Sequence, residues 1–329
     1  MFVNAANGGN LSWADGSQSS GSTSGGAAGT GGSFIPAGAG SGAGTALFLR
    51  GGNVNLSVVG GNTATLSGDI ADAADEDTTH PGSITKLGTG TLVLNGNSGG
   101  TYGYAGGTTI SAGTVQAGSD GALGKGTATV EAGGTLNVKD NVTLGNALLL
   151  LDGSTLSGNG TVTSTVTLVH GSTLSPGNSP GTLHGTDFVW GAGGHYHFEV
   201  NDFTGTAGTN WDLLSLTGGL SITATSGDPF IIDLVSLDLT NVAGLAAHFS
   251  ASSPYDLLLA WADGGITGFD PALFAVNSAD FQNPVYGGLW SIVLESNGLY
   301  LHFANAIPEP GTLALLGIGA IGLLRRRRA

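Results

Sequence analysis

A short element recurs through the first half of the chain, and its spacing limits the folds that the chain can adopt. The element is a small residue, a threonine and an aliphatic residue, at threonine-to-threonine intervals of 23, 21, 20 and 18 residues. It occurs as Gly90-Thr91-Leu92, Gly113-Thr114-Val115, Gly134-Thr135-Leu136, Ser154-Thr155-Leu156 and Ser172-Thr173-Leu174. A repeat of about 20 residues, built from short strands and glycine turns, predicts one coil of a β-solenoid.

The residues around this element alternate as half-buried strands require. In the stretch NVNLSVV, Val54, Leu56 and Val58 share one face and the polar residues between them share the other. If coils stack at about 4.8 Å, their inward Leu and Val side chains form a core that no single coil can bury. We expect glycine at the corners, where the backbone needs positive φ. A β-sandwich with regularly spaced turns is the alternative interpretation.

The composition favours folded β structure over disorder. Glycine makes up 61 of the 329 residues and only 9% of residues are charged, but 40% are hydrophobic, whereas disordered chains are polar and charged. The net charge is −15, and without the four C-terminal arginines it is −19, so a nucleic-acid partner is not expected. The chain has no cysteine, which excludes disulfides and thiolate metal sites.

The C-terminal region combines an apolar run with a basic cluster. The 14-residue run Gly311 to Leu324 is followed by Arg325, Arg326, Arg327 and Arg328. Most spanning helices need about 20 residues, but long arginine side chains can reach the headgroups and lengthen the span. We predict a single short C-terminal transmembrane helix with the arginines on the cytoplasmic side and residues 1–307 outside. The alternative is a basic tail beside an incidental apolar run.

This region resembles a PEP-CTERM sorting signal, which joins a Pro-Glu-Pro box, a short hydrophobic span and an arginine cluster. Pro308, Glu309 and Pro310 correspond to the box, and the four arginines correspond to the cluster. The resemblance implies recognition and cleavage by an exosortase, with transient anchoring in the inner membrane before processing. It also implies export to the cell envelope or extracellular matrix, where exopolysaccharide or other envelope components are the expected partners.

Export requires an N-terminal signal peptide with basic residues and an apolar core. The stretch MFVNAANGGNLSWADGS has neither feature. We therefore expect that this chain begins after signal-peptide cleavage or that its start lies further upstream. A cytosolic protein is the third possibility, and the C-terminal region argues against it.

Residues Ile84 to Gly126 resemble the autotransporter-associated β-strand repeat. The matching positions are Lys86, Gly88, Gly90 to Leu92, Leu94, Gly96, Tyr104, Gly106 to Ile110 and Gly113 to Val115. Val115 stands where the family usually has leucine. The later LSPGNSPGTL, Leu174 to Leu183, is similar to the turn that follows such repeats. The resemblance implies a right-handed parallel β-helix on the cell surface.

The resulting fold prediction is all-β: a right-handed parallel β-helix (β-solenoid) with a β-rich C-terminal cap and the short C-terminal helix. We assign a Gly/Ser-rich N-terminal segment to 1–45, the solenoid to 46–186 with its repeat at 84–126, the aromatic-rich cap to 187–305, and the sorting signal to 306–329. Within the N-terminal segment, Gly16 to Gly44 is expected to be a flexible loop or linker.

Two polar clusters are candidate metal sites. His195, His197 and Glu199 alternate, so on a strand they would share one face and could bind Zn²⁺. The favoured interpretation is an exposed polar face behind inward Tyr196, Phe198 and Val200. The second cluster is an acidic segment that contains Asp69, Asp72, Asp75, Glu76 and Asp77. It could bind Ca²⁺, but it is more typical of a solvated loop.

An enzymatic role is the alternative to a structural one, because β-helices host polysaccharide lyases and hydrolases. The upstream basic residues Arg50, Lys86, Lys125 and Lys139 are dispersed, so they do not form a lyase-like cluster. Inverting hydrolysis needs two carboxylates about 6.5–9.5 Å apart, and adjacent coils could supply such a pair. We predict an exported structural or adhesive protein with no catalytic residue, cofactor or metal. A carbohydrate-active β-helix enzyme, a polysaccharide hydrolase or lyase, is the second possibility.

Overall fold

The fold is a stack of parallel β-strand coils, seen in a computed structural model. The structure describes residues 2–3, 9–13, 16–18, 46–49, 52–72, 81–101 and 103–305. Within these ranges there are thirty strands and one helix, the short 3-10 helix Pro271–Leu273.

The strands before the aromatic-rich region are β1 (Phe2–Val3), β2 (Gly9–Trp13), β3 (Gly16–Gln18), β4 (Leu47–Leu49), β5 (Asn53–Val58), β6 (Thr63–Leu66), β7 (Ile70–Asp72), β8 (Ser83–Leu87), β9 (Thr91–Leu94), β10 (Thr108–Ile110), β11 (Gly113–Ala117), β12 (Ala128–Val130), β13 (Gly134–Val138), β14 (Thr143–Leu144), β15 (Leu148–Leu150), β16 (Thr155–Gly158), β17 (Thr161–Val162), β18 (Val166–Leu168), β19 (Thr173–Pro176) and β20 (Thr182–Gly185).

The later strands are β21 (Phe188–Trp190), β22 (His195–Val200), β23 (Leu213–Leu216), β24 (Leu220–Ile222), β25 (Phe230–Ser236), β26 (Tyr255–Ala262), β27 (Ile266–Thr267), β28 (Phe274–Asp280), β29 (Leu289–Glu295) and β30 (Gly298–Ala304).

Each coil passes through three sides. The first side is a six-stranded sheet, β15-β12-β10-β8-β5-β2, followed in the stack by the four-stranded sheet β18-β21-β24-β27. The second side is a ten-stranded sheet, β28-β25-β22-β19-β16-β13-β11-β9-β6-β3. The third side holds β1-β4-β7 and, further along, β14-β17-β20-β23-β26-β30-β29. Between these last two sheets, segments 97–101 and 119–124 cross the third side without forming a strand.

The strand register shows that each threonine interval is one coil. Thr114 pairs with Thr91 and with Thr135, and Thr155 pairs with Thr135 and with Thr173, all in parallel. The aliphatic partners Leu92, Val115, Leu136, Leu156 and Leu174 are fully buried in the same order. The solenoid prediction is therefore confirmed, and the β-sandwich alternative is wrong because every repeat pairs with the next copy of itself. The right-handed winding stays a prediction, supported by the general right-handedness of parallel crossovers.

The parallel stack continues through residues 187–280 with larger core side chains. Trp190 stacks on Phe230 with ring centroids 4.4 Å apart and an interplanar angle of 4°, and Tyr196 lies edge-on to Trp190. At the end of the stack the chain reverses, because β30 pairs antiparallel with β26 and β29 pairs antiparallel with β30. An aromatic cluster fills the space beneath this antiparallel end and contains Phe203, Phe249, Tyr255, Phe281, Trp290 and Phe303.

Part of the N-terminal segment differs from the expectation of a linker. Gly16–Gln18 forms β3, which pairs in parallel with β6, and β1 and β2 pair with β4 and β5. Small residues can join a strand ladder because the hydrogen bonds come from the backbone. Residues 19–45 lie outside the described residues.

Among the residues that the structure describes, no helix is long and apolar enough to cross a membrane. The predicted transmembrane helix at 311–324 falls outside those residues.

Candidate functional site

The predicted sorting residues follow directly on the folded end of the stack. Pro308, Glu309, Pro310 and Arg325 to Arg328 all lie outside the described residues, which end at Asn305. The last strand, β30, brings Ala304 opposite Leu289 of β29 and Phe303 opposite Tyr255 of β26. The structure therefore fixes the point from which the sorting segment departs, at the antiparallel end of the third side.

The outer surface of the ten-stranded sheet, which we call the polar face, carries a regular row of threonine side chains. Six threonines follow each other in register along it: Thr63, Thr91, Thr114, Thr135, Thr155 and Thr173. At the usual strand spacing of about 4.8 Å, this row is about 24 Å long. It presents one hydroxyl per coil at a fixed repeat.

A second row of polar side chains runs beside the threonines. Gln116 donates from Nε2 to Oδ1 of Asn137 at 3.1 Å, and Asn137 donates from Nδ2 to Oγ of Ser157 at 3.0 Å. These bonds join three successive coils through side chains as well as through backbone. The row continues to His197 on β22 and Asp233 on β25. Towards the C-terminal end, the polar face therefore carries histidine and aspartate side chains.

The predicted zinc ligands face outward together but pair with different groups. Nδ1 of His195 lies 2.7 Å from Oδ2 of Asp233, whose other oxygen accepts from Asn277 at 2.8 Å. Nε2 of His197 lies 3.7 Å from Oε1 of Glu199, and this carboxylate raises the pKa of His197. In the described part of the chain, no group of three or more His, Cys, Asp or Glu side chains is placed to hold a metal ion.

The acidic segment is only partly described. Asp69 accepts from the backbone N–H of Asn97 at 2.7 Å, and Asp72 is buried and accepts from the N–H of Gly82. Asp69 therefore joins neighbouring coils, and Asp72 connects the end of β7 to the residue before β8. The other candidate calcium ligands, Asp75, Glu76 and Asp77, lie outside the described residues.

A buried carboxylate that the sequence did not single out holds the LSPGNSPGTL turn. Asp212 is fully buried, and its oxygens accept from the N–H of Gly181 at 2.8 Å and the N–H of Glu199 at 2.9 Å. Burial raises the pKa of this carboxyl well above its usual range. Because both oxygens are bonded to backbone inside the fold, Asp212 is a structural residue of the turn.

A cavity of about 440 Å³ opens where the third side has no strand. Its lining comes from three coils: Asn97, Gly99, Asp120, Gly121, Gly124, Lys125, Gly145 and Asn146. The polar groups there bond to the backbone of adjacent coils. Asp120 accepts from the N–H of Thr143, Lys125 donates to the carbonyl of Thr101, and Asn146 donates to that of Gly126. This lining contains one carboxylate, Asp120, whereas glycoside hydrolysis uses a pair of carboxylates.

The repeat at 84–126 contains a buried cation whose role the sequence did not reveal. The Lys86 side chain is fully buried, and its Nζ donates to the carbonyls of Leu87, Gly88 and Ala112 at 3.0, 2.6 and 3.0 Å. Burial lowers the pKa of Lys86 to about 8. The alternation of β8 could have indicated this position, because Lys86 occupies the inward face with Ile84.

Comparisons with known proteins match two segments of the chain. Residues 306–328 match the PEP-CTERM protein-sorting motif. The chain carries a PEP-CTERM sorting signal. Residues 84–117 match the Passenger-associated-transport-repeat, which covers Lys86 and the first two Gly-Thr-aliphatic elements. Both resemblances expected from the sequence are therefore confirmed, and the sorting motif implies recognition by an exosortase.

A longer relative is an autotransporter adhesin. The chain is 33% identical over 210 residues to the Adhesin BmaC autotransporter of Brucella suis biovar 1 (strain 1330). The match covers 59% of this chain but 5% of the adhesin, so the chain corresponds to a small part of that protein. Together with the PEP-CTERM signal, this similarity indicates an exported surface protein.

Proposed function

We propose that the protein is a structural or adhesive β-solenoid of the cell envelope or extracellular matrix, and that an exosortase sorts and cleaves it at its C-terminal signal. The observation that carries this proposal is the order of its parts. A stack of coils ends at Asn305, and the sorting motif begins at the next residue. In this arrangement the apolar run 311–324 anchors the chain in the inner membrane until cleavage releases the stack.

The polar face supports the adhesive part of the proposal. Six hydroxyls repeat along it at the strand spacing, next to a row of amide and hydroxyl side chains. Such a surface can exchange many weak hydrogen bonds with polysaccharide or with a neighbouring chain, without a deep pocket. The similarity to an adhesin agrees with this use of the surface. The buried carboxylate of Asp212 accepts from two backbone N–H groups, so it is not available as a catalytic acid or base for the enzyme alternative.

The test is expression in an exosortase-containing bacterium, behind an added cleavable signal peptide, of the full chain with Arg325 to Arg328 all replaced by Gln. We expect the unaltered chain to lose its C-terminal residues and to reach the surface and matrix fractions. The Gln variant should keep its full length, because loss of the positive charges removes the signal that holds the cluster in the cytoplasm. Intact-mass spectrometry of envelope, matrix and medium fractions measures both properties.

Two control variants separate anchoring from recognition. Replacing the same four arginines by Lys keeps the charge and should keep topology and export. Pro308→Ala combined with Pro310→Ala should leave the chain anchored but uncut. The proposal is wrong if the Gln variant is processed and distributed like the unaltered chain.

A further inference from the structure

Exposed apolar side chains gather at one corner of the molecule. In the described residues, eight large apolar side chains are clearly exposed, and five of them lie near the C-terminal end, four in two loops and one at the start of β29. They are Leu239, Val242, Leu245, Tyr286 and Leu289, with exposed fractions of 65, 60, 60, 80 and 72%. We call these five residues the apolar corner. A cluster of this kind on a protein surface usually marks an interaction site.

The two loops of the apolar corner are bonded to each other and to the coil below. Asn283 donates to the carbonyl of Ala246 and accepts from its N–H, both at 2.9 Å. Asp238 accepts from the N–H and hydroxyl of Thr240 at 2.8 and 2.6 Å, which fixes the turn that exposes Leu239. The apolar side chains are therefore held outward by ordered backbone.

The apolar corner lies next to the last strand, from which the chain leaves the fold. Leu289 lies opposite Ala304, and the loop that carries Leu239, Val242 and Leu245 leads into β26, whose first residue pairs with Phe303. The apolar run 311–324 begins six residues after Asn305. Fully extended, this connection spans about 20 Å at most, so a membrane-inserted run would hold the apolar corner near the headgroups.

The charges nearby indicate which interaction this is. No lysine or arginine occurs between residues 140 and 324, so the corner has no such side chain to attract anionic lipids or an acidic partner, and His248 of the same loop pairs with Asp202 at 2.8 Å. Leucine, valine and tyrosine side chains insert into the boundary between headgroups and acyl chains by burial of apolar area alone. The occupant that fits is therefore the lipid surface itself.

We propose that the apolar corner is a membrane-contact site that seats the solenoid on the lipid surface while its C-terminal run is anchored. This inference rests on the anchoring in the proposed function. The contact orients the stack and places the sorting box at the membrane surface. Cleavage removes the tether, and because the five side chains alone bind weakly, the stack then leaves the membrane.

The experiment uses the absence of native cysteine to place one fluorescent probe at a time in the full chain. Val242→Cys reports on the apolar corner, Ala320→Cys reports on the apolar run, and Leu149→Cys is an exposed apolar control on the first side. Each labelled protein is reconstituted into phosphatidylcholine vesicles that contain brominated lipid, at low and at high salt.

We expect strong quenching at position 320 and quenching at position 242 several times that at position 149, independent of salt. Removal of residues 306–329 should abolish the quenching at position 242. Quenching at position 320 without quenching at position 242 overturns the membrane-contact site and leaves anchoring intact, whereas no quenching at either position overturns both. A spectral shift at position 242 before vesicles are added, which disappears when residues 306–329 are removed, means that the tail covers the corner and also overturns the proposal.

Discussion

At the scale of single residues, the described part of the chain contains a buried cation, Lys86. Lys86 points into the core of the repeat and is bonded to three carbonyl oxygens, one at the end of β8, one in the turn after it and one in the next coil. It therefore joins two coils at a corner. The buried position costs free energy when the amine is charged, and this cost gives stability a pH dependence.

We expect stability to rise with pH between about 8 and 10.5. In this window the unfolded chain binds the Lys86 proton and the folded chain, with a pKa of about 8, releases it, so deprotonation favours folding. Between pH 7 and 9.5 the free energy of unfolding should increase by about 1–2 kcal/mol. Chemical denaturation at several pH values measures this.

The matched variants are Lys86→Met and Lys139→Met, since Lys139 is exposed. Lys86→Met should lose the pH-dependent increase, and Lys139→Met should keep it. Burial raises the pKa of Tyr104 and Tyr196, so above about pH 10 the unfolded state releases protons that the folded state keeps and stability falls. An unchanged pH profile in Lys86→Met would show that the cation is not buried as described.

At the scale of the coil, the turns decide where glycine is needed. Gly158 closes β16 with φ of +107°, and a Cβ there would collide with the carbonyl oxygen of Val138 in the preceding coil. Gly133 also has positive φ, +78°, but a Cβ there would have no atom within 4 Å. A substitution at Gly133 therefore reports the cost of positive φ alone, and a substitution at Gly158 reports that cost together with the collision between coils.

We expect Gly133→Ala to cost about 1 kcal/mol, which is the strain of positive φ alone. Gly158→Ala should cost about 3 kcal/mol or more, because the ladder between β13 and β16 must also move apart. Thermal or urea unfolding of both variants measures the difference. Equal losses would mean that the coils do not approach as closely as the described register requires.

At the scale of the whole molecule, the C-terminal end limits further strand addition. A stack of parallel coils exposes open strand edges, which can pair with other chains. Here β30 covers the edge of β26, β27 has two residues, and the pairing of β28 with β25 contains a register shift between Asp233 and Val235. The aromatic cluster beneath β30 fills the end of the core.

Deletion of residues 289–329 should therefore cause association. It uncovers the edge of β26 and exposes part of the aromatic cluster, including Phe249 and Phe281. We expect concentration-dependent oligomers by size-exclusion chromatography with light scattering. Deletion of residues 306–329 alone keeps β29 and β30 and should not produce them. Identical behaviour of the two deletions would contradict a capping role.

Much of the fold could be predicted from the repeat, because local features set it. The interval between threonines predicted the length of one coil. The alternation of polar and apolar residues predicted which Leu and Val side chains point inward, since a strand places successive side chains on opposite faces. The sorting signal could also be predicted from the sequence, because its proline box, apolar run and arginines are contiguous. The coil-joining roles of Asp212, Asp120 and Lys86 could not be predicted, since each depends on a partner 20 or more residues away in another coil.

The sequence by itself determined the stacked-coil architecture and the sorting signal, because each is encoded in neighbouring residues with a fixed period or order. Only the tertiary structure decided that Leu239, Val242, Leu245, Tyr286 and Leu289 are exposed together next to the last strand, in two hydrogen-bonded loops and at the start of β29. It also decided that one side lacks strands at 97–101 and 119–124. These features depend on which coils adjoin and where the final antiparallel strands fold back. Stacking brings together residues that are far apart along the chain, and no pattern of neighbouring residues predicts such contacts.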